Sequence, residues 1–133
     1  MSVTVLPDAE ALVISYLESQ SPITSLVSNR VYGDMPASPA FPLILVRRIG
    51  GLARWPHYLD QPSFQLEAYG RNRAEASQVA RVAHAVLKDM PQEHSRGVVS
   101  SVQDSLGLTW QPDPTYSPAK PRYLFGVVLT LHP

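Results

Sequence analysis

The segment 64–90 constrains the fold most, because its hydrophobic period changes once along the chain. Phe64, Leu66 and Ala68 alternate with Gln65, Glu67 and Tyr69, which is typical of a half-buried strand. Beyond Gly70, apolar residues recur at helical spacing and form one stripe: Ala76, Val79, Ala80, Ala83, Val86, Leu87 and Met90. A strand followed at once by an amphipathic helix predicts a helix that packs on a sheet.

The turn between this strand and this helix reads Gly70-Arg71-Asn72-Arg73. Asn72 is a favourable N-cap, and Glu75 follows three residues later, as in a capping box. Lys88 lies in the expected last turn, and Pro91 ends the helix. We expect the two arginines to flank the cap and point to solvent. An anion could bind at this helix start, but no glycine-rich loop is present to bring a phosphate close.

The N-terminal third predicts two helices and a brief strand. Pro7 suits a first helical position, and the apolar residues that follow lie on one face of a helix over about 7–19. Ser21-Pro22 predicts a cap and a second, short helix that ends near Ser28. Arg30 to Tyr32 is typical of a short strand. The prediction therefore places helices before the first long strand.

The remaining strands are predicted from short apolar runs. Leu43 to Val46 indicates a buried strand, and Gly50-Gly51 predicts a two-residue hairpin turn. The return arm, 52–59, contains Pro56 and so cannot be a central strand throughout. Two further strands are expected at Val98–Leu108 and Tyr123–Leu131. The last is apolar on both faces over part of its length, so we expect it to lie centrally or under the helices.

These elements predict an α+β fold. We expect one mostly antiparallel, or mixed, sheet with two main helices packed on it, and the main helix and the last strand should share the core. Val79 and Leu87 should then face Phe125, Val127 or their neighbours. A chain of 133 residues is expected to form a single domain over 1–133.

Composition excludes several classes of function. The chain has no cysteine, which excludes disulfides, thiolate zinc sites and cysteine nucleophiles. Its formal net charge is zero, which argues against a dedicated or sequence-specific nucleic-acid binder. No apolar run approaches the roughly 20 residues of a spanning helix, and the N-terminus lacks the basic start of a signal peptide. We expect an intracellular protein with no membrane partner.

No catalytic or metal-binding motif is present. The four histidines, His57, His84, His94 and His132, lack helical metal spacing. Asp34 and Asp60 fall in predicted loops and could converge for acid–base chemistry or Mg²⁺, although nothing in their spacing indicates it. We therefore expect no catalytic activity, no cofactor and no metal site.

Basic and aromatic residues cluster around the predicted hairpin. The candidate contact residues are Arg47, Arg48, Arg54, Trp55, His57 and Tyr58. Tryptophan, tyrosine and arginine are over-represented at protein interfaces, which favours a subunit or partner contact. Alternatively, the aromatic rings fold back on their own domain, or they stack on single-stranded nucleic acid, which the zero net charge disfavours. Prolines also cluster at 36–42 and 112–121, and we expect these two loops to touch partners.

Several local strings resemble the tail terminator (tail-completion) family of long-tailed bacteriophages. They are "SLVSNRVYGDMP", the loop that leads to "FPLILVRR", the strand "FQLEAYG" followed directly by the helix "NRAEASQVARVAHAVL", and the closing strand "RYLFGVVLTL". The similarity spans nearly the whole chain. It is weakest at the hairpin, 47–59, and at the loop 111–121.

The resemblance implies a structural virion protein without enzymatic activity or cofactor. Members form a ring, usually a hexamer, that caps the tail tube, ends its polymerisation and presents a surface to head-side neck proteins. The implied partners are copies of the chain itself, the tail tube protein and head-side neck or connector proteins. The implied location is the tail–neck region of the virion, after assembly in the host cytoplasm. A head–tail joining protein of the same neck is the alternative, and a small metal- or acid/base-dependent enzyme is a third.

Overall fold

One sheet and a layer of helices make up the fold. The computed structural model describes residues 3, 5–54 and 59–133. Within those ranges there are three helices and six strands. In chain order they are α1 (Ala9–Glu18), α2 (Ser21–Val27), β1 (Val31–Tyr32), β2 (Leu43–Arg54), β3 (Leu59–Tyr69), α3 (Arg73–Leu87), β4 (Gln92–His94), β5 (Gly97–Trp110) and β6 (Arg122–His132). The predicted α+β class with one sheet is confirmed.

The sheet is mixed, with the strand order β1-β2-β3-β6-β5-β4. β1 runs parallel to β2, and each of the other neighbouring pairs is antiparallel. The prediction of two main helices needs correction, because the short α2 also buries Ile23 and Val27 completely in the core. β4 was not predicted, since three polar residues carry no hydrophobic pattern.

The helices cover one face of the sheet. α3 places Val79 and Leu87 in the same buried cluster as Phe125 and Val127 of β6, which confirms the predicted shared core. Three alanines on the buried side of α3 let the helix lie close to the strands. The Tyr16 hydroxyl donates to the Val86 carbonyl at 2.7 Å and so ties α1 to α3.

Side chains cap α1 and α3. Asp8 caps α1 through a bond from the Ala11 N–H at 3.1 Å, so Pro7 precedes the cap and does not occupy the first helical position. Asn72 Oδ1 accepts from the Glu75 N–H at 2.8 Å, which confirms the predicted cap of α3. Such a cap satisfies one of the backbone N–H groups left free at a helix start.

The two arginines beside the α3 cap are exposed, as expected, but each has a partner within the chain. Arg71 Nη2 lies 2.6 Å from Glu75 Oε2, and this hydrogen-bonded ion pair lowers the pKa of Glu75. The Arg73 guanidinium lies 4.5 Å from the centre of the Trp110 ring, close enough for a cation–π contact. Both groups are therefore engaged in holding the helix start to its surroundings.

The opposite face of the sheet is covered at one end by the two proline loops, 33–42 and 111–121. There they form a second buried cluster around Leu43, Leu45 and Tyr69, with Tyr32, Met35, Phe41 and Tyr116 packed against it. The Phe41 ring lies 5.9 Å from the Tyr69 ring and 6.2 Å from the Tyr116 ring. The loops therefore complete the fold of their own subunit, a role that the sequence did not predict.

The predicted hairpin turn at Gly50-Gly51 is wrong. Both glycines lie inside β2, which shifts register between Arg48 and Gly50 and continues to Arg54. Gly51 has φ +101°, and a Cβ there would lie 2.1 Å from the Gln61 carbonyl oxygen, so the residue permits close approach of β3. Arg54 pairs with Leu59, so the β2–β3 arm (49–54 and 59–63) is longer than predicted.

Candidate subunit interface

Six residues were predicted to form a contact surface, and three of them lie along β2 in the described part of the chain. Arg47, Arg48 and Arg54 belong to β2. Trp55, His57 and Tyr58 lie outside the described residues, as does the side chain of Arg54. Their role in a contact therefore stays a prediction, while the surroundings of Arg47 and Arg48 can be examined directly.

Arg48 fixes the root of the β2–β3 arm. Its Nη1 and Nη2 donate to Asp60 Oδ2 and Oδ1 at 2.7 and 2.8 Å, and Asp60 is fully buried. The Arg48 backbone N–H donates to Glu10 Oε2 at 2.8 Å, which ties β2 to α1. A two-point bond between arginine and carboxylate is geometrically demanding, so it holds the arm in one direction.

The same contacts correct the acid–base hypothesis. Asp60 lies in β3 and not in a loop, and both of its oxygens accept bonds from Arg48. Asp34 is exposed. The structure thus gives Asp60 a structural ion pair and shows no contact between the two carboxylates.

Arg47 belongs to a second charged cluster, which joins three strands and a proline loop. Arg47 and Arg122 each donate to the buried carboxylate of Glu67, and the Arg122 bond measures 2.9 Å. The Tyr69 hydroxyl donates to Asp113 Oδ2 at 2.7 Å. The residues of this charged cluster come from distant segments of the chain, so no local sequence pattern could have predicted it.

Burial and hydrogen bonding shift the pKa values within this cluster. Burial, together with the bond to Asp113, raises the pKa of Tyr69. Burial alone would raise the pKa of Asp113, but the bonds from Tyr69 and Thr115 and the nearby charge of Arg122 hold it below its ordinary value. Asp113 therefore stays ionised and anchors the 111–121 loop to the sheet.

These ion pairs limit what Arg47 and Arg48 can offer a partner. Their side chains remain 41% and 33% exposed, respectively, and each already has a carboxylate partner. A partner could contact the exposed parts of both side chains, but neither arginine is a free cation.

His84 and His94 are engaged in structural contacts. His84 Nε2 lies 2.8 Å from Asp104 Oδ1, and its ring meets Phe125 edge-on at 5.5 Å. His94 Nε2 lies 2.8 Å from the Met90 carbonyl oxygen. Across 5–54 and 59–133, no group of three or more histidine, aspartate or glutamate side chains could hold a metal ion.

Exposed apolar side chains lie on two strands: β2, which already contains predicted contact residues, and β5, which the sequence prediction did not include. Ile49 and Leu52 on β2 are 60% and 74% exposed, and Leu106 and Leu108 on β5 are 46% and 41% exposed. All four lie on strand segments with a neighbour on one side only. Apolar side chains on an open strand edge are typical of a surface that another chain covers.

No helix in the described part of the chain is both long enough and apolar enough to cross a membrane.

Comparison with known proteins places this fold in a family. Comparison with curated protein sequences found no match. Among solved structures, the chain is similar to one in the virion of a native gene transfer agent particle, with a TM-score of 0.71 and 15% identity, over 93% of this chain and 94% of that chain. The sequence model of the phage tail termination protein family matches residues 5–107. Because that match covers well over half of the sequence, it confirms the resemblance: the chain belongs to the phage tail termination protein family, whose members are structural proteins of phage virions.

Proposed function

We propose that this protein forms a closed ring, a hexamer in the finished particle, on the end of a phage tail tube. The ring covers the surface that would recruit the next tube subunit, so it ends polymerisation. Its other face receives head-side neck proteins. The observation that carries this proposal is the family match over residues 5–107.

The structure supports an assembling role in a specific way. A ring closed by rotation requires two unlike patches on each subunit, which meet between neighbours. This sheet provides two different patches, because β2 and β5 lie near its opposite sides. Both strands carry exposed apolar side chains that a neighbouring subunit could cover. The similar chain in the gene transfer agent virion spans nearly the same length, so the comparison concerns the whole fold.

We propose that the protein is not an enzyme and needs no cofactor. The buried carboxylates of the described residues, Asp60, Glu67 and Asp113, are paired with arginine or bonded to hydroxyl groups within the chain. Groups held in this way serve packing and orientation. The proposed location is the tail–neck region of the virion, with assembly in the host cytoplasm.

The contact residues predicted from the sequence enter this proposal unchanged. Arg47, Arg48 and Arg54 lie on β2, near one side of the sheet, and Trp55, His57 and Tyr58 follow them in the sequence. We propose that the tip of the β2–β3 arm contacts a neighbouring subunit or the tube. Tryptophan, tyrosine and arginine are enriched among the residues that contribute most of the binding energy at protein interfaces.

Electron microscopy of phage lysates that lack this one protein tests the proposed function. Tail tubes of uncontrolled length that do not attach to heads are expected, because nothing ends their growth. The control lysate carries the unchanged gene and gives tails of uniform length. Free tails of normal length would contradict the proposal and would favour a head–tail joining protein.

A further inference from the structure

On each side of the sheet, a long strand extends beyond the short strand that is its outer neighbour. β4 pairs only with 97–99 of β5, which leaves 100–110 without a further strand among the described residues. β1 pairs only with Ile44 and Leu45 of β2, and Glu10 caps the Arg48 N–H. We call 100–110 the β5 edge and 49–54 the β2 edge.

The β5 edge lacks most of the usual protection against pairing, although β-bulges interrupt it. Natural edge strands carry lysine, proline or inward-pointing charges, or they are covered, because unpaired N–H and C=O groups recruit other strands. The β5 edge contains no lysine, arginine or proline, and Asp104 is its only charged residue. All residues from 103 to 109 are exposed. Its three register shifts curl the strand but leave it paired with β6 as far as Trp110.

The strand directions favour a head-to-tail contact between copies of this chain. β2 runs antiparallel to β3, β3 to β6, and β6 to β5, so β2 and β5 run in opposite directions. In a ring whose axis runs roughly along the strands, rotation keeps β2 pointing the same way in every copy. The β5 edge of one copy then meets the β2 edge of the next antiparallel, and the alternation continues unbroken around the ring.

From these observations we infer that the β5 edge of one subunit pairs with the β2 edge of the next, and that their backbone hydrogen bonds join the sheets. The inference rests on the proposed ring and names the surfaces that close it. Leu106 and Leu108 would cover Ile49 and Leu52, all of which are exposed in the single chain. The formal charges also agree, since the β2 edge contains Arg54 and the β5 edge contains Asp104, which also contacts His84 of its own subunit.

The absence of cysteine allows a direct test by cross-linking. Directly opposed residues in an antiparallel pair lie about 4.5–5.5 Å apart at Cα, within the range that a disulfide spans. Leu106→Cys or Leu108→Cys is combined with Ile49→Cys, Leu52→Cys or Ala53→Cys in the full-length chain. Each variant is concentrated or mixed with tail tubes and then oxidised, and the product is separated without reductant.

We expect at least one double variant to give a ladder of linked species that ends at the ring size. Each single variant should give no cross-linked species, because a head-to-tail contact never brings two identical positions together. The matched control combines Leu106→Cys with Ser25→Cys, because Ser25 is exposed and belongs to α2 and not to either edge. This control should also remain without cross-links.

The other outcomes separate the inference from the function on which it rests. A ring seen by native mass spectrometry without a cross-link in any double variant would overturn the edge pairing and leave the proposed ring intact. A protein that stays monomeric at all concentrations and also with tubes would count against both. Cross-links to the tube protein alone, through an added cysteine there, would assign the β5 edge to the tube and overturn the inference.

A charge variant measures the same contact without oxidation. Leu106→Lys places a cation against the basic β2 edge of the next copy, whereas Leu106→Glu places an anion there. We expect Leu106→Lys to weaken ring association at least about tenfold relative to Leu106→Glu. Equal association by both variants, each with an unchanged unfolding midpoint, would contradict the pairing.

Discussion

Two regions of one sheet differ in what covers them. Under the helices, Phe64, Leu66 and Phe125 are completely buried. At the β2 and β5 edges, Leu52 and Leu106 are exposed although they are equally apolar. The first region gains its burial from the same chain, and the second can gain it only from another. The comparison indicates that stability and assembly are assigned to separate parts of the sheet.

Buried charge marks the boundary between the two regions. Arg48 lies just before the register shift in β2, and its ion pair reaches Asp60 within the β2–β3 arm. On the face of the sheet opposite the helices, Glu67 binds Arg122 and Asp113 binds Tyr69. These bonds hold the 111–121 loop to the sheet. These bonds are directional, so we expect them to fix where the edges point as well as to stabilise the fold.

The largest expected effect is in the helix-covered region. Phe125→Ala should lower the free energy of unfolding by roughly 3–5 kcal/mol, because it removes a fully buried ring and leaves a cavity. Chemical denaturation followed by circular dichroism measures the change. A denaturation midpoint equal to that of the parent would show that the core does not depend on this contact.

A smaller loss is expected at the boundary. Arg48→Met should cost roughly 2–4 kcal/mol, since it leaves the buried Asp60 carboxylate without its cation, while the partial exposure of Arg48 limits the loss. Arg48→Met combined with Asp60→Leu should recover most of the stability, because no uncompensated charge remains. If the double variant is as unstable as the single one, the ion pair does more than neutralise a buried charge.

The anchor of the 111–121 loop should respond to pH. Tyr69→Phe removes the hydroxyl that donates to Asp113 and should cost about 1–2 kcal/mol at neutral pH. The folded-state pKa of Asp113 is lowered, so its contribution is complete above the unfolded pKa of about 4 and is lost as the pH falls through the folded pKa. Parent and variant should therefore become more alike in stability below about pH 4.

The matched control for this experiment is Tyr116→Phe. Tyr116 packs in the same cluster, but its hydroxyl makes no hydrogen bond to any described residue. Its variant should show the same pH dependence as the parent. A constant gap between parent and Tyr69→Phe down to pH 3 would show that ionisation of Asp113 is not involved.

The smallest effect on stability is expected at the β2 edge. Leu52→Ala should stay within about 0.5 kcal/mol of the parent, because the side chain is largely exposed. The same variant should weaken ring association, since the leucine is buried only between subunits. If Leu52→Ala lowers stability but leaves ring association unchanged, the β2 edge serves the fold and not assembly, which would contradict the account.

Local patterns predicted much of the helix-covered region. The stripe on α3 and its Asn72 cap could be recognised because every relevant residue lies within a few positions of the next. The alternation in β3 and β6 likewise indicated which side chains enter the core. Such signals depend on backbone period alone, so a single sequence is enough to find them.

The rest depended on contacts between distant segments. Gly50-Gly51 has the composition of a tight turn, but the same freedom at φ also serves a register shift inside a strand, and only pairing with β3 distinguishes the two. Phe41 and Tyr116 lie in separate loops, so their shared cluster is invisible in the sequence. An open edge is also a property of the whole sheet, because it depends on which strand ends beside which.

Growth of tail tubes in the presence of this protein tests the central claim most directly. Purified tube protein is allowed to polymerise, the protein is added in an amount far below that of the tube subunits, and lengths are measured by electron microscopy before and after more tube protein is supplied. We predict that elongation stops, with a ring visible at one end of each tube. Tubes that keep growing as fast as in the absence of the protein would contradict the account.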